Sequence, residues 1–304
     1  MSGLLTKLFL FVVLMLTGYV FARYGSAGSG FAKGLSSLVI NVFMCATILN
    51  SVLTADMSLS AGKLGEIMLV LFVCIALGYL LAALLIRVLP IEKEHKPSFE
   101  ILMALPNNMF IALPVLDGLF GSTAVFYCGL SNIPFNLFLY TYGVWRLSRG
   151  KSGEGFRLRD LMSAPLIATL AALLLFLTKL PVPRVARELI GTMSGATLPL
   201  SMVVIGASLS GVNLLEAFKN WRFYLASFVK LLAAPLLAWL VCGLLTKDPI
   251  LLATAMLIAA APSGVMVSVL TIKYGGDYVF TSESILQSTV LSMLTIPALV
   301  YLLL

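Results

Sequence analysis

Apolar residues run along this chain in long blocks separated by short polar pieces. The blocks fall at about 4–22, 31–53, 66–89, 99–120, 122–147, 161–179, 186–209, 221–245, 249–273 and 281–304. Strict alternation of apolar and polar residues would predict strands, and a β-barrel would show alternating segments of roughly ten residues. Here the blocks are longer and do not alternate. A block of about twenty apolar residues predicts a helix long enough to cross hydrocarbon. The pattern therefore predicts an all-α polytopic membrane protein with ten transmembrane helices.

The polar pieces between blocks are short. The longest, Arg146 to Asp160, is rich in glycine and serine and falls at mid-chain. It reads as a linker between halves at 1–150 and 151–304. The first block, with Lys7 near its start, has the look of a secretory signal. Its length and its counterpart in the second half make it a span of the mature chain instead.

Composition agrees with this pattern. Of 304 residues, 60% are hydrophobic and only 11% charged, with a mean hydropathy of +1.05. Soluble domains carry about 25% charged residues, so lipid is the solvent that this surface requires. The net charge of +7 does not point to nucleic acid, because the basic residues are spread through the short loops. With the loops numbered in chain order, the odd ones hold most of them: Arg23 and Lys33; Arg87, Lys93 and Lys96; Arg146, Arg149, Lys151, Arg157 and Arg159; Lys219 and Arg222; and Lys273. The positive-inside bias places those loops in the cytoplasm and both termini outside. A bacterial inner or plasma membrane is the expected location.

Candidate chemistry narrows the picture further. Cys45, Cys74, Cys128 and Cys242 all lie in apolar blocks and read as small packing residues. The single histidine, His95, sits in a charged loop, so no histidine-based metal site is expected. No cofactor is implied, and no G-x-x-x-x-G-K-[ST] run offers an ATP site.

Five spans in each half are an odd number, so the second half enters the membrane in the opposite sense. Inverted repeats of this kind are common in secondary transporters. Special residues recur at one offset. Pro106 and Pro262, Phe120-Gly121 and Tyr274-Gly275, and Asn132 and Gln287 are each about 155 residues apart, close to half the chain.

This recurrence locates a site. Proline breaks a helix because it lacks an N–H and clashes with the preceding turn. In hydrocarbon each freed backbone group costs several kcal/mol unless it is paired. Asn107 and Asn108 follow Pro106, while Ser263 and Gly264 follow Pro262; all four are residue types that cap a new helix. Spans four and nine are thus expected to be broken at these prolines and to cross. Their second halves would present helix N-termini to one point, where an anion is favoured. The expected substrate contacts are Asn107, Asn108, Ser263 and the Gly264 amide.

Other polar residues within the blocks leave alternatives open. Asn132 and Asn136 share a face of span five, and Gln287, with Ser284, Ser288 and Ser292, forms a stripe on span ten. They serve either as hydrogen-bonding glue or as pocket lining. Lys230 either snorkels to the cytoplasmic surface or lies on an anion path. Asp117, Asp277 and Glu283 are either solvated span ends or relay residues for a coupling ion. Gly191-Thr-Met-Ser-Gly195 permits a close helix contact, within the chain or between two copies.

Several stretches resemble one known family. They are Ala104 to Gly121, Ile205 to Leu209, Phe228-Val-Lys-Leu-Leu-Ala-Ala-Pro235, Ala261-Pro-Ser263 with Lys273-Tyr-Gly275, and Gln287 to Pro297. Together they resemble the auxin efflux carrier family, which includes plant PIN-type carriers and bacterial organic-acid permeases. The likeness covers essentially the whole chain. It implies a scaffold from 4–53 and 161–209, a transport domain from 64–147 and 219–304, elevator-type movement, and a homodimer formed through the scaffold. It also implies substrate at the crossing of spans four and nine. The plant carriers show Asn-Pro-Asn at the first crossing, where this chain reads Leu105-Pro-Asn107. They also carry a long cytoplasmic loop that the short mid-chain linker lacks.

The expectation is therefore a secondary transporter of a small organic anion, a mono- or dicarboxylate, possible auxin-like acids included. The bile-acid sodium symporter family shares this architecture and supplies a sodium-coupled alternative. An intramembrane enzyme would need paired catalytic groups at depth, and only Lys230 is a base there. A passive channel is the remaining alternative.

Overall fold

The computed structural model describes residues 2–25, 31–54, 60–148, 164–210, 218–264, 267, 270–271, 274 and 276–303. Among the described residues every regular element is helical. In chain order these are α1 (Ser2–Tyr24), α2 (Phe31–Leu38), α3 (Met44–Thr54), α4 (Ala61–Val88), α5 (Lys96–Ala104), α6 (Leu113–Phe120), α7 (Ser122–Leu130), α8 (Asn132–Phe138) and α9 (Val144–Ser148). After the mid-chain linker come α10 (Ala164–Thr178), α11 (Arg184–Leu209), α12 (Trp221–Phe228), α13 (Ala234–Leu245), α14 (Pro249–Ala260) and α15 (Tyr278–Leu303). Most of the mid-chain linker lies outside the described residues.

Among the described residues, five helices are long and apolar enough to cross a membrane by length and composition: Gly34–Thr54, Gly62–Val88, Arg184–Ala207, Trp221–Leu245 and Val279–Leu303. Shorter apolar helices cover Val12–Tyr24, Phe110–Phe120, Ala164–Thr178 and Pro249–Ala260. The ten blocks are therefore not ten equal rods. Blocks 99–120, 122–147 and 249–273 are each interrupted, at Pro106, near Ser131 and at Pro262. Large apolar side chains such as Leu16, Leu84, Leu174, Leu240 and Leu294 stand exposed along the helices. Surface of that kind suits contact with lipid tails.

Four stretches of the described helices widen into π turns: Val39–Phe43, Asn108–Ala112, Leu139–Gly143 and Val229–Ala233. Such turns displace the regular hydrogen-bond ladder and often mark functional sites. These four carry Asn41, Asn108, Tyr142 and Lys230, polar residues set within apolar blocks.

Contacts divide the chain into two compact units. The first comprises 1–60, 109–132 and 162–211. Its tightest packing sets α1 against α11. A Cβ added at Gly18 would fall 2.1 Å from Val203 O, and one at Gly206 would fall 1.8 Å from Met15 O. Only glycine allows the two backbones so close. The Gly191-x-x-x-Gly195 motif is not this contact, since a Cβ at Gly195 would meet nothing within 4 Å. On the far side of α11, the Thr47 and Thr197 hydroxyls lie 2.7 Å apart, and both reach Phe43 O at the end of the first π turn.

The second unit comprises 61–108, 133–161 and 212–304. Here α4 packs against α5, α13 and α14, while α15 packs against α12, α5 and the 229–233 turn. One end is tied by Lys63, whose Nζ lies 3.0 Å from Glu66 Oε1 and 3.1 Å from Asp248 Oδ2. Asp248 also caps α14 by accepting from the Ile250 and Leu251 N–H groups. At the start of α5, the His95 ring stacks at 4.5 Å on Phe280 in the first turn of α15. Asp277 Oδ1 accepts from Phe280 N–H at 3.1 Å, so Asp277 caps α15. The segment 109–132, which the family resemblance groups with the transport helices, clusters here with the first unit.

Candidate functional site

Two interrupted helices of the second unit meet at their breaks. The residue before a proline is pushed toward extended backbone, and both sites obey this. Leu105 leaves α5 at φ −96, ψ 119, and Ala261 leaves α14 at φ −64, ψ 138. The two short extended pieces pair antiparallel, Pro106 opposite Ser263. The Asn107 N–H donates to Pro262 O at 2.8 Å, and the Gly264 N–H donates to Leu105 O at 3.2 Å. Each break thus satisfies backbone groups that the other frees. That exchange is how irregular backbone is tolerated at membrane depth.

The pairing changes what Gly264 offers. Its N–H is already donated to Leu105, so its contribution is room. A Cβ there would sit 3.3 Å from Pro106 O, a close approach that glycine relieves. Beside it, the Ser263 N–H donates to Ser288 Oγ at 3.4 Å, which brings α15 against the break.

The polar side chains expected at the site are buried. Asn107 is 7% exposed, Asn108 3%, Asn136 5%, Ser263 1% and Gln287 0%. Gln287 accepts from the Ser227 hydroxyl at 3.3 Å, and the other end of its amide has no hydrogen-bond partner among the described residues. A buried polar atom left so costs about 1–3 kcal/mol, and a ligand or water would relieve that. One turn along from Ser227, Lys230 is 3% exposed. Its ammonium donates to Met103 O at 2.9 Å, in the last turn of α5 before the break. Lys230 does not snorkel to a surface. Among the described residues it has no carboxylate within ion-pair distance.

The remaining expected residues lie elsewhere. Asn132 belongs to the first unit, where its amide donates to Gly129 O at 2.9 Å and lies 3.5 Å from Thr169 Oγ1. Asp117 is on α6 of the same unit, half-buried. Glu283 is half-buried on α15, and Asp277 serves as the cap described above.

One polar group escaped the sequence reading. Glu100, on α5, is 3% exposed and pairs with Arg146 of α9 at 2.7 Å, while the Tyr142 hydroxyl donates to its other oxygen. The available signal is an acid one residue inside an apolar block and a base one residue inside another, positions at which a charge ordinarily reads as part of a loop.

The sequence profile of a family described as membrane transport proteins matches residues 4–300. An uncharacterized transporter of Methanothermobacter thermautotrophicus is 29% identical over 291 residues, covering 94% of each chain. Another, of Methanocaldococcus jannaschii, is 28% identical over 298 residues with the same coverage. With apolar helices suited to lipid and a profile matched almost from end to end, the chain belongs to the membrane transport protein family, the auxin efflux carriers, and is an integral membrane protein.

Proposed function

We propose that the chain is a secondary transporter of a small organic anion, a mono- or dicarboxylate, working by elevator-type alternating access. The observation that carries this reading is the reciprocal pairing of two broken helices amid buried donors. Asn107, Asn108 and Ser263 contact the anion. Asn136 and the unpartnered end of the Gln287 amide line the pocket, and the Lys230 Nζ supplies a further donor. With its amide given to Gly129, Asn132 is read here as a fold residue and not a substrate contact. Asp277 is read as a helix cap, while Asp117 and Glu283 stay open as coupling residues.

In the same proposal the chain is two inverted five-helix repeats. The unit holding the crossing carries the substrate, and the other serves as scaffold and homodimer interface. Both termini face outward from a bacterial inner membrane. Counterflow in proteoliposomes tests the carrier reading. Labelled succinate or malonate should accumulate transiently against its gradient in exchange for unlabelled anion. A channel would only equilibrate the label, and the absence of counterflow for every carboxylate tried would overturn the proposal. Asn107→Ala should abolish exchange with unchanged expression; normal exchange by that variant would sink the site.

A further inference from the structure

The second unit holds a buried ionic cluster that shares no residue with the crossing. The Glu100 side chain is 4% exposed and the Arg146 side chain 22%. Glu100 Oε2 accepts from Arg146 Nε at 2.7 Å, and Glu100 Oε1 accepts from the Tyr142 hydroxyl. Both carboxylate oxygens are therefore taken, and the negative charge faces inward. The guanidinium also bonds the Tyr142 hydroxyl and makes no other hydrogen bond among the described residues, so most of its five N–H donors stay uncommitted there.

The surroundings hold that arginine still. Tyr142 lies on the Leu139–Gly143 π turn, and its ring packs edge-on against Tyr79 at 5.4 Å and near Trp145 at 5.7 Å. The Tyr79 side chain is buried and its hydroxyl has no hydrogen-bond partner among the described residues. Trp145 is 50% exposed and sits beside Arg146 at the end of an apolar block, where amphipathic rings mark the membrane interface. An arginine fixed through Nε offers its outer edge in the fork geometry that suits carboxylate and phosphate oxygens. Orientation before binding lowers the entropy lost on binding.

We infer that Arg146, oriented by Glu100 and Tyr142, is an oxyanion-binding residue at the linker end of span five. Its ligand is the phosphate of an anionic lipid headgroup or a dissolved oxyanion. Glu100 is a positioning residue and does not touch the ligand. This subsite is independent of the proposed crossing site.

Trp145 provides the readout. Replacing the other two tryptophans, Trp221→Phe and Trp239→Phe, leaves it as the sole indole reporter in the full-length protein. In phosphatidylcholine nanodiscs, titration with inorganic phosphate tests the dissolved source. In nanodiscs doped stepwise with phosphatidylglycerol, the same reporter tests the lipid source. A saturable change in either series is expected. Arg146→Gln should weaken it about tenfold, the loss of a charged hydrogen bond, and Arg146→Lys should fall between. Because Arg146→Gln leaves Glu100 uncompensated, the neutral pair Glu100→Gln with Arg146→Gln is measured beside it. Asn107→Ala should leave the Trp145 response intact, so the two sites fail separately. Equal responses in the parent and the neutral pair, or no response in either series, would overturn the inference.

Discussion

At the scale of single residues, the second unit keeps buried polar groups that its own fold satisfies poorly. The end of the Gln287 amide without a partner among the described residues is one of them, and the Lys230 Nζ is held by a single carbonyl. Groups that weaken a fold yet persist in its interior are candidates for function. Gln287→Leu, close in volume and free of polar atoms, should raise stability by about 1 kcal/mol while abolishing anion exchange. Thermal unfolding and counterflow on one preparation check both parts; undiminished exchange would remove Gln287 from the site. Gly264→Ala probes the break itself. With Pro106 O 3.3 Å from the new methyl, the bridge must shift by a few tenths of an ångström. Exchange should slow with little change in unfolding temperature, and a rate equal to that of the parent would show the spacing to be slack. Pro106, Pro262 and their small polar followers were legible in the sequence because proline's lack of an N–H acts locally. Lys230's bond to Met103 was not legible, because it joins residues far apart along the chain.

At the scale of elements, the contact of α1 with α11 depends on backbone proximity. Gly206→Leu would drive a side chain into the Met15 carbonyl, which stands 1.8 Å from the position of a Cβ. Overpacking against backbone cannot be relieved by a rotamer change and should cost about 3 kcal/mol or more. Gly195→Ala, where nothing lies within 4 Å, should be silent. Fluorescence-detected size exclusion of the two variants separates these outcomes; a monodisperse Gly206→Leu protein would refute the packing argument. The sequence motif left open whether its glycines pack within the chain or between two copies, and the close contact within the chain falls at other glycines. The Gly191-x-x-x-Gly195 spacing is a motif, whereas Gly18 and Gly206 become partners only when two distant helices cross. Similarly, block 122–147 reads as one span by hydropathy but folds as three short helices and a π turn, because Pro134 and the polar run Ser131-Asn132 interrupt the ladder.

At the scale of the whole molecule, the proposal of a carrier makes its own demand on coupling. Among the described residues, the buried ionisable side chains of the second unit, cysteines and tyrosines aside, are Glu100, which is paired with Arg146, and Lys230. The one buried carboxylate there is already paired and so offers a sodium ion no uncommitted acidic ligand. Replacing sodium with choline should therefore leave counterflow unchanged, and a loss of exchange in choline would favour the bile-acid-symporter type of coupling. The amino-acid sequence by itself determined the solvent, the helical class, the loops and the two helix breaks. Hydropathy and proline chemistry act over a turn or two of chain, so they are written in local order. Tertiary structure alone decided that the two breaks satisfy one another's backbone, that Lys230 stays inside, that Asn132 is bonded within the first unit, and that Glu100 and Arg146 form a pair. Those outcomes depend on which distant segments meet, and hydrogen bonds and ion pairs a few ångströms long are set only when the helices have packed.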